Sequence, residues 1–100
     1  LARDTLFLLE RSYTGSDGAE YFCRDCVEVE GLLALYPELA ERMEIVRVPW
    51  ERPRTAVVQA IGQDEQNCPA LVLAEGGFVN TQEALLAALN ERHGFPQRSS

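Results

Sequence analysis

Phe22-Cys23-Arg24-Asp25-Cys26-Val27-Glu28-Val29 is the stretch at which the chain turns from loop to helix. Upstream of it, Arg11 to Phe22 contains Ser12, Gly15, Ser16, Asp17 and Gly18 and reads as a loop. Downstream, Val29, Leu32, Leu33, Tyr36 and Ala40 fall at i, i+3, i+4, i+7 and i+11, while Glu28, Glu30, Glu38 and Glu41 lie mostly off that stripe. Cys23 and Cys26 therefore open an amphipathic helix. Pro37 kinks that helix or starts a second, short one at its own first turn.

The flanking segments read as strands and helices in alternation. Thr5-Leu6-Phe7-Leu8-Leu9 is a short, unbroken apolar run, the pattern of a strand buried on both faces. Glu44 to Val48 is a second strand, and Pro49 to Pro53 a connection. Arg54 to Ile61 is a helix that stops at Gly62. Ala70 to Ala74 is a third strand, and Glu75-Gly76-Gly77 turns it into a very short fourth around Phe78-Val79. Asn80 or Thr81 caps a last helix, with Glu83 spaced for a capping box on Asn80. Ala84, Leu85, Ala88, Leu89 and Arg92 share a face of that helix, Gly94 and Pro96 end it, and the tail from about residue 95 is expected to fray. The order β-α-β-α-β-β-α predicts an α/β domain. Its first two strands are parallel through a right-handed crossover, in one mixed four-stranded sheet with helices on both faces.

Composition narrows the function. One hundred residues make a single domain, 1–100, with one core. With 46% hydrophobic and 25% charged residues the chain is neither disordered nor collagen-like. Nine basic against sixteen acidic residues give a net charge of −7, which disfavours nucleic acid and anionic membranes as partners. No apolar run approaches the roughly 20 residues of a membrane span. Three cysteines, an odd number, do not fit a secreted disulfide scaffold. No signal peptide is visible before the first strand, so a cytoplasmic location is expected, and there a C-x-x-C reads as redox or metal chemistry. All nine basic residues are Arg, which suggests a bacterium with a GC-rich genome.

The pair has a chemical logic. Cys23, at a helix N-terminus, meets free backbone N–H groups and the positive end of the helix dipole, both of which favour a thiolate. Cys23 is then the nucleophile. Cys26, one turn on, attacks the mixed disulfide and releases the reduced substrate. Arg24 assists the thiolate and Asp25 opposes it. The competing readings are an inert, vestigial pair and a metal or iron–sulfur site using Cys23, Cys26 and Cys68. A four-ligand zinc site needs one more donor. The sole histidine, His93, lies about 18 Å down the last helix at 1.5 Å per residue and faces away, as a partner for the helix C-terminus.

Three features coincide in order: the aromatic-C-x-x-C of Phe22 to Cys26, Cys68-Pro69 ahead of the third strand, and the Gly76-Gly77 hairpin. Together they resemble the thioredoxin-like fold over nearly the whole chain. Arg3 to Leu9, Glu30 to Ala34 and Glu91 to Pro96 also look like a family of short bacterial proteins known as domain of unknown function 3088, which implies a fold but no activity. The fold resemblance implies a cis bond at Cys68–Pro69 that turns the residue-68 backbone toward the dithiol, where it can pair with an extended peptide or glutathione. The alternative is a trans proline that simply starts a strand. The resemblance also sets Cys68 beside Cys23, as an alternative disulfide partner, a soft-metal ligand or a small apolar residue. Residues 49–54 would emerge at the same end, with Trp50 as a hydrophobic lip or packed on the second helix. Arg52 and Arg54 would be anion anchors or solvated, and the N-terminus of the last helix would receive a carboxylate. Tyr21 and Phe22 either flank the dithiol or join the core. These readings converge on a thiol-disulfide oxidoreductase, with no cofactor or metal, acting on a protein or small-thiol disulfide such as that of glutathione. A non-catalytic binding module and a three-cysteine metal protein are the alternatives.

Overall fold

The computed structural model describes residues 3–52, 54–62 and 66–99. In chain order the elements are β1 (Thr5–Leu9), β2 (Tyr13–Thr14), β3 (Glu20–Tyr21), α1 (Arg24–Leu35), α2 (Pro37–Ala40) and β4 (Glu44–Val48). They continue with α3 (Thr55–Ile61), β5 (Ala70–Val72), β6 (Phe78–Val79) and α4 (Gln82–His93). Pro53, at the end of the expected connection, and Ser100, at the end of the expected tail, lie outside the described residues.

The unbroken apolar run becomes the central strand. β1 pairs with β4 in parallel, Leu6 opposite Ile45, and with β5 antiparallel, Leu6 opposite Leu71. β5 pairs antiparallel with β6, so the mixed sheet has the order β4-β1-β5-β6. Successive side chains of a strand point to opposite faces. Leu6 and Leu8 are fully buried on one face, and Phe7 and Leu9 are buried on the other, so both faces of the sheet are covered. Val29, Val57, Leu85, Leu89 and Phe95 complete the core, each side chain contributing about 1.5–3 kcal/mol by leaving water.

Helices α1 and α4 lie side by side. The Gln82 amide donates to the Asp25 carbonyl and to the Glu28 carboxylate. The Tyr36 ring, at the end of α1, meets Phe95 edge-on at 6.4 Å. Pro37 does start a second helix: it occupies the first turn of α2, where its missing N–H costs nothing. Gly76 and Gly77 carry the positive φ values of 113° and 85° that turn β5 into β6.

Four local expectations change. Residues 11–22 are not all loop: Tyr13 pairs with Tyr21 and Thr14 with Glu20 in a small hairpin. Its polar composition hid it, yet those polar groups hold it, because the Ser12 and Thr14 hydroxyls donate to the Glu20 carboxylate at 2.9 and 2.7 Å. The third strand stops at Val72, because Leu73 N–H turns back to the Gly77 carbonyl and Ala74 N–H goes to Asp4. Of the two expected caps Thr81 is the N-cap of α4, and Glu83, expected in a capping box on Asn80, reaches Arg98. The segment expected to fray from about residue 95 is tied down: Phe95 is fully buried, and Arg98 pairs with both Glu28 and Glu83. One aromatic and one arginine outweigh the small polar residues around them.

Candidate functional site

Cys23 is the N-cap of α1, with extended backbone (φ −78°, ψ 109°). Its Sγ accepts the Cys26 backbone N–H at 3.1 Å, which satisfies one of the helix's unpaired first-turn donors. The same sulfur lies 3.9 Å from the Cys68 carbonyl oxygen, to which its S–H donates. Residues 45 apart in sequence thus meet at the helix tip. The Cys68–Pro69 bond is cis, as the fold resemblance implied, and Pro69 is buried.

The three thiols occupy different surroundings. All are free; Cys23 and Cys68 are half-buried and Cys26 is buried. Burial pushes the Cys26 thiol well above the usual thiol range, and Cys23, both as hydrogen-bond partner and as charge, pushes the same way. A hydrogen bond from the Leu9 backbone opposes this. Burial also pushes the Cys68 thiol up, and the charge of Cys23 adds to it, while the charges of Arg54 and Arg52 oppose that rise.

Cys23 is partly exposed, whereas Cys26 is buried. A cleft of about 310 Å³ is lined by Cys23 and Cys26 together with Leu9, Arg11, Val27 and Arg47. A second, of about 600 Å³, runs from Phe22 and Arg24 along the start of α1 to Gln82 and Arg98. Phe22 is 62% exposed and Val27 48%, so apolar surface stands on either side of the sulfurs. Arg24 and Asp25 pair with each other at 3.5 Å.

Other rim residues fall differently. Arg52 is exposed, and its charge acts on the Cys68 thiol. Arg54 is no anion anchor: it is buried, and its guanidinium donates to the Trp50 carbonyl at 2.9 and 2.7 Å and to the Gln66 carbonyl at 2.6 Å. Trp50 does not line the cleft that holds Cys23 and Cys26. Its indole stacks on Tyr13 at 4.7 Å and 3°, and Tyr13 stacks in turn on Tyr21 at 5.9 Å. Tyr21 and Phe22 are both exposed, so neither joins the core. Sequence reasoning missed Val27, Arg11 and Arg47. Val27 had a signal, an apolar residue immediately after the pair and off the helix's buried stripe. Arg47 is bound bidentately by Glu30 at 2.8 and 2.7 Å across α1 and β4, a pairing between distant segments that no local pattern carries.

His93 faces away from the thiols, as expected, but it is buried. Its Nε2 is 2.7 Å from Asp4, just ahead of β1, whereas Leu9 at the other end of that strand lines the cysteine cleft. Among the described residues no group of three or more His, Cys, Asp or Glu side chains is placed to hold a metal ion. Among the same residues no helix is long and apolar enough to cross a membrane.

The family described as Protein of unknown function (DUF3088) matches residues 3–77, which include β1, the cysteine pair, Cys68 and Pro69. The chain belongs to that family. Neither a curated protein nor a solved structure matches it.

Proposed function

We propose that this is a thiol-disulfide oxidoreductase of thioredoxin-like architecture, with Cys23 as nucleophile and Cys26 as resolving thiol. One observation carries the reading: Cys23 Sγ sits at the tip of α1, 3.1 Å from the Cys26 N–H, beside a cleft lined by Cys23 and Cys26. The architecture is supported by the strand order β4-β1-β5-β6 with a single parallel pair, and by the cis Cys68–Pro69 bond just ahead of β5.

The steps follow from the surroundings of the two sulfurs. Cys23 thiolate attacks a disulfide R–S–S–R′; the S–S bond breaks, Cys23–S–S–R forms and R′ leaves as a thiolate. The charge of Cys23, which helps to keep Cys26 protonated, is then gone. Cys26 loses its proton to the departing thiolate and attacks the Cys23 sulfur. A Cys23–Cys26 disulfide forms, and R leaves reduced. The substrate is a protein or small-thiol disulfide, glutathione included. Phe22 and Val27 offer it apolar contact, the Cys68 carbonyl offers a backbone acceptor, and Arg52 offers a charge for a carboxylate. The activity belongs in the cytoplasm, where such dithiols are kept reduced.

Insulin reduction and reduction of glutathione mixed disulfides test the reading. Turnover by the reduced protein that disappears in Cys23→Ser is the expected result. An intact, fully reduced protein that turns over neither substrate would leave a non-catalytic binding module in its place.

A further inference from the structure

The function just proposed uses two of the three thiols, yet the backbone of the third, Cys68, also meets the Cys23 sulfur. We propose that Cys68 is a second resolving thiol, so that a mixed disulfide on Cys23 is closed by Cys68 as well as by Cys26; this rests on Cys23 being the attacking thiol.

Three observations carry it. The Cys68 carbonyl oxygen is 3.9 Å from Cys23 Sγ, so the two residues are neighbours across the site. Cys68 is half-buried, whereas Cys26 is 3% exposed. The charge of the Arg54 guanidinium acts on the Cys68 thiol. That guanidinium is itself 5% exposed and clamped between the Trp50 and Gln66 carbonyls, so its charge is fixed in place. Thiol-disulfide exchange requires the attacking sulfur as thiolate. Burial pushes the Cys68 thiol up, but Arg54 and Arg52 act against that rise, while no cation is among the influences acting on Cys26.

The exchange balances. Cys23–S–S–R and the Cys68 thiolate give Cys23–S–S–Cys68 and RS⁻, which takes up the Cys68 proton. The oxidant is the substrate disulfide. The product ties the N-cap of α1 to the segment ahead of β5 and leaves Cys26 reduced. The two closures thus yield two oxidised forms with different free thiols.

The test reacts fully reduced Cys26→Ala protein with one equivalent of 5,5′-dithiobis(2-nitrobenzoate), followed by mass spectrometry and non-reducing peptide mapping. Two equivalents of coloured thiolate, loss of two hydrogens and a peptide linking residues 23 and 68 support the proposal. Release of one equivalent with a persistent adduct on Cys23 overturns it. Cys26→Ala/Cys68→Ala protein separates this failure from failure of the underlying reading. A stable adduct on Cys23 there keeps Cys23 as the attacking thiol, and its absence removes that role and the proposal together. Wild-type protein treated identically tests the same chemistry without substitution: a 23–68 link beside the 23–26 link supports it, and a 23–26 link alone overturns it.

Discussion

Cys23 and Cys26 stand one turn apart on the same helix, yet they meet opposite conditions. Cys23 caps the helix and lines an open cleft, whereas Cys26 points into the core. Iodoacetamide at neutral pH is therefore expected to alkylate Cys23 at least about tenfold faster than Cys26, because burial keeps the second thiol protonated and out of reach. Mass spectrometry of labelled peptides reads the ratio, and Cys26 should catch up only in denaturant. The cap also lets function be separated from stability. Serine is among the best N-cap residues, so Cys23→Ser should keep stability within about 0.5 kcal/mol while abolishing turnover. Cys23→Ala, which has no cap atom, should cost about 1 kcal/mol. Urea titration of both variants checks this; equal losses would mean that the sulfur's bond to the Cys26 N–H adds nothing to the helix.

At the scale of elements, what could be read in the chain followed from local periodicity. β1, α1, β4 and α3 appear where apolar spacing and the stops at Pro37 and Gly62 put them. The cysteine pair was legible for the same reason, since it opens the most regular amphipathic stretch. The hairpin of β2 and β3 was not, because its strands are two residues each and its stabilising partner, Trp50, is distant in sequence. Nor was the anchoring of the tail, which depends on one ring entering a core built by other segments. Both gaps lead to measurements. Phe95→Ala should cost about 3 kcal/mol in urea, since a fully buried ring leaves a cavity; a cost below about 1 kcal/mol would mean that the tail does not pack. Trp50 is the sole tryptophan, so its fluorescence reports the hairpin alone. Tyr13→Ala should shift its emission to the red by freeing the stacked indole face, with far-ultraviolet circular dichroism nearly unchanged.

Across the whole molecule, one buried cluster joins the start, the middle and the end of the described chain. Asp4, 3% exposed, accepts Arg92 through both carboxylate oxygens at 2.7 and 2.8 Å, the Ala74 N–H at 2.8 Å and His93 at 2.7 Å. Arg92 also binds Glu75. Three segments are thus held by one carboxylate: the entry to β1, the β5–β6 turn and the last turn of α4. The Arg92 guanidinium holds Asp4 well below the usual carboxylate range against the opposing effect of burial, and Ala74 and His93 add to it. A folded value below the unfolded one means that the unfolded chain binds more protons in acid. The cluster's stabilisation is therefore complete above about pH 5, beyond the unfolded Asp range, and is lost as pH falls through and below about 4. Arg98 holds Glu28 down to about 2 in the same direction, but that pair is about one-third exposed, so solvent and salt weaken it. Asp4→Asn keeps the shape but leaves Arg92 and His93 facing a neutral amide, and should cost about 3 kcal/mol at pH 7. Urea titrations of both proteins at pH 7, 5 and 3 should show that gap unchanged from 7 to 5 and clearly smaller at 3, where the wild-type carboxyl begins to protonate as the protein unfolds. A gap that stayed constant down to pH 3 would mean that the charge on Asp4 does not hold the three segments together.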